Sequence, residues 1–184
     1  MKIKFLIAGL FCWCNCLGQE FKPDTTINQI NLEDSRSIIK KLKADTSVIT
    51  EIVKESPWRL QLRNKFGNQL LTLFFHPGNS TWAFSEFKVQ ILSQEVNMEK
   101  MIKLNDNEFI TEKGIKLGLS KSELIRKMGR PTNTKIENGF EIIEYRIIDP
   151  NSMMLKKYNQ AEYFAIYKLK NDRIIEFHFG FVMP

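Results

Sequence analysis

Alternation of apolar and polar residues is the most extensive pattern in the chain, and it predicts strands in two groups. The first group comprises 58–63, 69–76 and 81–91. The last of these has a one-residue offset in its alternation between Phe84 and Phe87, which is typical of a β-bulge. The second group comprises 134–136, 140–148, 161–169 and 173–180. Turn residues separate neighbouring strands within each group, which favours antiparallel meanders.

A short helix is predicted before the second group, at 120–128. Ser120 and Glu123 have the spacing of a capping box, in which the hydroxyl and the carboxylate each bond the other residue's amide. Gly129 suits the end of a helix, and Pro131 prevents its continuation. The apolar face consists of Leu124, Ile125 and Met128.

A weaker copy of this segment lies at 30–44, with Asp34 or Ser35 as the predicted cap. The copy lacks the glycines and the proline. The repeated order predicts an α+β fold made of two tandem helix-plus-antiparallel-β-meander units that share or pack one sheet. The predicted divisions are a signal peptide (1–18), an extended lead-in (19–29), repeat unit 1 (30–91), a connector (92–111) and repeat unit 2 (112–184). The connector is expected to contain a helical turn or a short strand at Met98, Met101 and Ile102.

The N-terminus has the organisation of an export signal. Two lysines precede the apolar run Phe5–Trp13, which is too short to span a bilayer comfortably, and cleavage is predicted between Gly18 and Gln19. A membrane anchor is the alternative. Lipidation fits poorly because large or polar residues precede the candidate cysteines, Cys14 and Cys16. We therefore expect a periplasmic or secreted protein whose mature chain lacks cysteine and has no transmembrane span.

The charge balance gives no reason to expect a nucleic-acid partner. Cleavage would leave 25 basic and 21 acidic residues, a net charge of +4, with both signs interspersed. The tightest basic run, Lys40-Lys41-x-Lys43, is expected on the solvated face of a helix.

The stretch Gly114–Pro131 resembles the "GxxxGMSKEEV…LGKP" helix motif of the BamE-like (SmpA/OmlA) outer-membrane assembly lipoproteins and of β-lactamase-inhibitor-protein-like domains. The resemblance covers about 18 residues closely and about 150 loosely, through the order of elements. It implies an exported bacterial protein in which a helix packs on an antiparallel sheet. It carries no catalytic residue to this chain. The lack of a good lipidation site departs from the assembly lipoproteins.

No catalytic or metal-binding motif is apparent, so we expect no enzyme activity, no metal and no cofactor. His76 and His178 lie on predicted strands without the partner spacing of a metal or hydrolase site, and paired or exposed strand histidines are expected. Glu141 and Glu144 could approach each other, but solvated strand carboxylates are the simpler interpretation.

Aromatic residues are concentrated on the predicted strands. They either form the core or, together with arginine, form a surface that anchors a protein partner. The speculative partner-binding residues are Trp58, Arg59, Trp82, Phe84, Tyr145, Tyr163 and Tyr167. The expected function is an exported protein-binding module, either an inhibitor or an envelope assembly accessory. The alternative is a small-ligand-binding or hydrolytic domain that uses the sheet face, which would require a deep pocket of convergent polar groups.

Overall fold

The computed structural model describes residues 21–43, 59–76, 80–92 and 101–182, and most of their regular structure is β. In chain order the elements are β1 (Thr26–Ile27), β2 (Ile30–Asn31), α1 (Arg36–Leu42), β3 (Arg59–Arg63), β4 (Gln69–His76), β5 (Ser80–Ile91), β6 (Ile102–Lys103), α2 (Lys121–Met128), β7 (Asn133–Glu137), β8 (Phe140–Ile147), α3 (Met153–Tyr158), β9 (Tyr163–Lys170) and β10 (Arg173–Phe181).

An eight-stranded sheet organises the described residues, with the strand order β6-β3-β4-β5-β10-β9-β8-β7. The short β6 pairs in parallel with β3, and every other neighbouring pair is antiparallel. The antiparallel pairing of β5 with β10 joins the strands of the two predicted groups into one sheet. A separate two-stranded hairpin is formed by β1 and β2.

The predicted α+β fold of two tandem helix-plus-antiparallel-β-meander units is therefore wrong, because the described residues are mostly β and one eight-stranded sheet dominates them. The helices have only seven, eight and six residues, whereas five adjacent strands of the large sheet have eight or more. Helix α1 begins at Arg36 with Ser35 at its N-cap position, one of the two caps predicted, although the Ser35 side chain makes no capping hydrogen bond. Ile30 and Asn31 precede it and pair with β1. The uncertain element of the connector is the strand β6, while Met98 lies outside the described residues.

One face of the large sheet carries the main core. Alternate residues of the central strands point to this face, where the hairpin, the helices and the loops around Phe109 and Ile115 cover them. Its largest fully buried side chains include Phe84, Phe87, Phe109, Tyr145, Tyr163, Tyr167, Phe177, Phe179 and Phe181. Fully burying a side chain of this size contributes about 1.5–3 kcal/mol relative to leaving it exposed, so this face supplies most of the apolar stabilisation.

Helix α2 has the capping box that the sequence predicts. The Ser120 hydroxyl accepts a hydrogen bond from the Glu123 amide, and the Glu123 carboxylate accepts one from the Ser120 amide at 3.0 Å. At the other end, the Tyr145 hydroxyl donates to the Gly129 carbonyl at 3.0 Å. These contacts fix both ends of α2 and connect its C-terminal end to β8.

The predicted lead-in is part of the core. Phe21 stacks on Tyr145 with 4.8 Å between ring centroids, and the Tyr163 hydroxyl donates to the Asp24 carbonyl at 2.8 Å. The Lys113 ammonium donates to the carbonyls of Lys22 and Pro23. We call residues 21–25 the N-terminal strap, because these contacts fix the segment to residues that lie far along the chain.

The Asp24 side chain is fully buried beneath the strap. The Lys113 ammonium lies 3.8 Å away, and neither carboxylate oxygen has a hydrogen-bond partner of good geometry. Burial raises the pKa of Asp24 from 3.8 to about 7, an effect that Lys113 opposes and nearby Glu112 reinforces. Burial also raises the pKa values of the adjacent Tyr163 and Tyr167 hydroxyls well above 10.

We predict that Asp24 makes the protein less stable as the pH rises from about 4 to 7. In this interval folded Asp24 binds a proton that the unfolded chain has released, so the folded state carries more protons and the free energy of unfolding falls with pH. Thermal unfolding of the wild type and of Asp24→Asn between pH 5 and 7.5 tests this. The wild type should lose more thermal stability than the variant. Parallel curves would show that Asp24 does not titrate in this interval.

We also predict that Ser120→Ala lowers the free energy of unfolding by about 1 kcal/mol, because it removes the cap of α2. Ser122→Ala is the matched control. Ser122 is exposed within the same helix, its hydroxyl contacts the Ser120 hydroxyl at 3.2 Å but caps no backbone amide, and alanine favours helix by a few tenths of a kcal/mol. Urea denaturation of the two variants measures the difference. Equal midpoints for both would mean that the cap contributes nothing.

Candidate functional site

The face of the sheet opposite the core, here called the outer face, is the candidate site. Strand register arranges its side chains in three rows that run across the strands. The first row consists of Arg59, Phe74, Glu86, Gly180, Phe164 and Arg146; the second of Gln61, Thr72, Lys88, His178, Ile166, Glu144 and Asn133; the third of Arg63, Leu70, Gln90, Glu176, Lys168, Ile142 and Lys135. Both rings and charges therefore lie on one surface.

His178 occupies the centre of the outer face. Its Nε2 lies 2.6 Å from Glu86 Oε2, and its ring packs against Phe164 edge-on at 4.9 Å and against Phe74 at 5.7 Å between centroids. We call these four residues the His178 cluster. The Glu86 carboxylate fixes the orientation of the imidazole, and about a quarter of the His178 side chain remains exposed. The arrangement presents a rigid polar ring between two aromatic rings.

A glycine, Gly180, allows the strands to approach closely enough for this arrangement. Gly180 lies between Glu86 and Phe164 in the first row, so two of the three partners of the His178 ring flank the glycine position. A Cβ atom on Gly180 would meet the Ser85 carbonyl oxygen at 2.2 Å and Glu86 Cα at 2.6 Å. This close approach occurs at the bulge between Phe84 and Glu86, where the pairing of β4 with β5 shifts register, as the sequence offset predicts.

Ion pairs flank the His178 cluster on both sides. Lys88 pairs with Glu176 at 3.1 Å, while Arg146 pairs with Glu144 at 2.6 Å and with Glu162 in the loop before β9. The Glu144 and Glu162 carboxylates raise the pKa of Arg146 above its usual value. These pairs neutralise Lys88 and Arg146, although basic side chains outnumber acidic ones in the three rows by six to three.

A groove of about 540 Å³ runs along the outer face between the turn of the β7–β8 hairpin and β10. Lys168 lies in it with its ammonium 4.1 Å from the centroid of the Phe140 ring. Two further ion pairs line the groove, Lys135 with Glu137 and Arg146 with Glu144. The polar groups of the groove thus bond each other instead of converging on its centre.

Each histidine is paired with a glutamate in the part of the chain that the structure describes. His76 Nε2 lies 2.6 Å from Glu33, so both histidines are paired strand residues, as the sequence indicates. No cluster of three or more potential metal ligands occurs within residues 21–43, 59–76, 80–92 and 101–182. Glu141 and Glu144 do not come together, because they lie on opposite faces of β8 and pair with Lys121 and Arg146 respectively.

The structure places the seven speculative partner-binding residues in different environments. Four are fully buried in the core and offer no surface to a partner, namely Phe84, Tyr145, Tyr163 and Tyr167. Arg59 is exposed in the first row of the outer face. Trp58 lies outside the described residues, as does the side chain of Trp82, although its backbone belongs to β5. For the four buried aromatics, the core interpretation holds.

Sequence reasoning did not identify the contacts of the His178 cluster. Glu86 and His178 are 92 positions apart, and nothing in either local sequence indicates that β5 pairs with β10. The only available signal was that His178 alternates with the apolar residues Phe177 and Phe179 along the strand, which places its side chain on the face opposite the core.

Comparisons with protein-family models, curated proteins and solved structures found no match to this chain. In the part of the chain that the structure describes, no helix combines the length and the apolar content required to cross a bilayer.

We predict that Gly180→Ala is strongly destabilising, with a loss of about 3 kcal/mol or more in the free energy of unfolding, because the added Cβ overlaps the backbone of β5. Gly139→Ala is the control. Gly139 also has a positive φ, +77°, but its Cβ would meet nothing within 4 Å, so only about 1–2 kcal/mol of backbone strain is expected. Chemical denaturation measures both values. Equal losses would mean that the sheet adjusts to the Cβ without cost.

Proposed function

We propose that this protein is an exported, non-enzymatic protein-binding module that uses the outer face to bind its partner, as an inhibitor or as an accessory of envelope assembly. The observation that carries the proposal is the His178 cluster with ion pairs around it. Protein interfaces commonly combine aromatic anchors at the centre with a polar rim. The resemblance of Gly114–Pro131 to the BamE-like helix motif also supports the proposal.

The size of the outer face fits a protein partner. The adjacent strands β4, β5, β10, β9 and β8 have at least eight residues each. At about 4.8 Å between strands and 3.4 Å per residue, they provide a surface of roughly 24 by 27 Å, or about 650 Å². A standard interface buries about 800 Å² on each partner. Most of such an interface could therefore lie on this face.

The pairing of charges favours protein binding over hydrolysis or small-ligand binding. A ligand site needs polar groups that converge on a cavity and are available to the ligand. On the outer face the carboxylates of Glu86, Glu144 and Glu176 already bond cationic partners or a histidine. Ion pairs of this kind are typical of the rim of a flat protein interface, where complementary charges fix the orientation of the protein partner.

We predict that Lys168→Glu weakens partner capture at least tenfold, because it reverses a charge in the middle of the outer-face groove. Lys40→Glu is the matched control, since Lys40 is exposed on α1. Each protein is immobilised and exposed to native envelope extract and secreted fractions, and the captured partner is quantified by mass spectrometry. Capture retained by Lys40→Glu and lost by Lys168→Glu is expected. Equal capture by both variants, or no partner under conditions that preserve weak complexes, would contradict the proposal.

A further inference from the structure

A second surface, different in composition from the outer face, combines exposed apolar side chains with lysines. A groove of about 710 Å³ lies between the N-terminal strap and the segment from Arg146 to Met154. Ile148 and Met153 line it and are 69% and 87% exposed. Two isolated residues of this kind would need no explanation, but these two share one groove with Phe21 of the strap.

Lysines border this groove. Lys22 is exposed beside Phe21, while Lys156 and Lys157 follow Met153 by three and four residues on α3 and therefore lie on the same side of the helix. The contacts of the two α3 lysines are uncharged: Lys156 approaches the Asn151 side-chain oxygen at 3.2 Å, and Lys157 lies 4.9 Å from the Tyr158 ring centroid. We call this set the Met153 surface; it consists of Phe21, Lys22, Ile148, Met153, Lys156 and Lys157.

Nearby carboxylates only partly offset these lysines. Asp149 lines the groove and accepts a hydrogen bond from the Asn151 amide. On the far side of Lys157, Glu33 bonds His76 and Gln160, and Asp34 bonds Arg36. Since Glu33 and Asp34 already have partners, the three lysines leave the Met153 surface positive.

We propose that the Met153 surface binds the surface of an anionic phospholipid membrane. Exposed apolar side chains bordered by lysines match the chemistry of a bilayer interface, where the apolar groups enter the acyl boundary and the lysines meet anionic headgroups. The three rows of the outer face include none of the large apolar side chains that are exposed among the described residues, so that face lacks this combination. The proposal does not require the outer face to bind a protein, but it rests on the export that forms part of the function proposed above.

The position at which the chain enters the described structure supports a membrane as the partner of the Met153 surface. Phe21, the first described residue, lies in this groove, and only seven residues separate it from the apolar run Phe5–Trp13. Seven residues span at most about 25 Å. On the proposal that the protein is exported, the run Phe5–Trp13 would, before cleavage, keep Phe21 within about 25 Å of the bilayer.

Vesicle co-sedimentation tests the proposal with the protein expressed from its full sequence and recovered after export. Vesicles of phosphatidylglycerol mixed with phosphatidylcholine are compared with vesicles of phosphatidylcholine alone. We expect the wild type to bind the anionic vesicles at least tenfold more tightly, and added salt to weaken that binding.

Two matched pairs of variants locate the binding surface. Met153→Asp should reduce binding to anionic vesicles at least tenfold, whereas Ile136→Asp should not, although Ile136 is 83% exposed on β7. Lys156→Glu with Lys157→Glu should reduce it similarly, whereas Lys40→Glu with Lys43→Glu on or next to α1 should not. Thermal melting and size-exclusion chromatography confirm that each variant is folded and show its oligomeric state.

Three results would overturn the proposal. The first is equal binding to both kinds of vesicle, or to neither. The second is equal loss in the Met153→Asp and Ile136→Asp proteins. The third is a wild-type dimer that Met153→Asp dissociates while vesicle binding is unchanged, which would assign this surface to self-association. None of these results depends on whether the outer face binds a protein.

Discussion

The antiparallel pairing of β5 with β10 is the constraint on which the rest of the structure depends. It joins strands from the two halves of the described chain and brings Phe87 and Phe179 edge to face in the core, with 5.7 Å between their ring centroids. On the other side of the same pair, Gly180 allows the backbone at Glu86 to approach closely. One pairing therefore builds the centre of the core and the centre of the outer face together.

The two faces of this sheet use aromatic residues in opposite ways. On the covered face, rings such as Tyr163 and Phe181 pack edge to face and are fully buried. On the outer face, Phe74 and Phe164 hold one imidazole in place between ion pairs. Aromatic content alone cannot distinguish these uses, because strand propensity favours aromatic residues on both faces. Strand register separates them, because it places Tyr145, Tyr163 and Tyr167 on the covered face, and His178 on the outer face beside Phe164, which is itself buried.

Local features were predictable from the sequence, and long-range pairings were not. The capping box needs only Ser120 and Glu123, and the bulge is visible as an offset between Phe84 and Phe87, because each signal lies within four consecutive residues. The fold class was wrong because a helix signal specifies where a helix starts and not how much of the domain it contributes. The Glu86–His178 contact depends on strand order, which alternation does not encode.

The N-terminal strap has a consequence for folding. Its anchors, Glu112, Lys113 and Tyr163, lie roughly 90 to 140 positions further along the chain. Contacts of such large sequence separation form late, because the intervening chain must first lose its freedom. The first residues of the described structure can therefore be locked only after most of the polypeptide has been delivered. A chain that is delivered with its N-terminus first would therefore remain incompletely folded until β9 emerged.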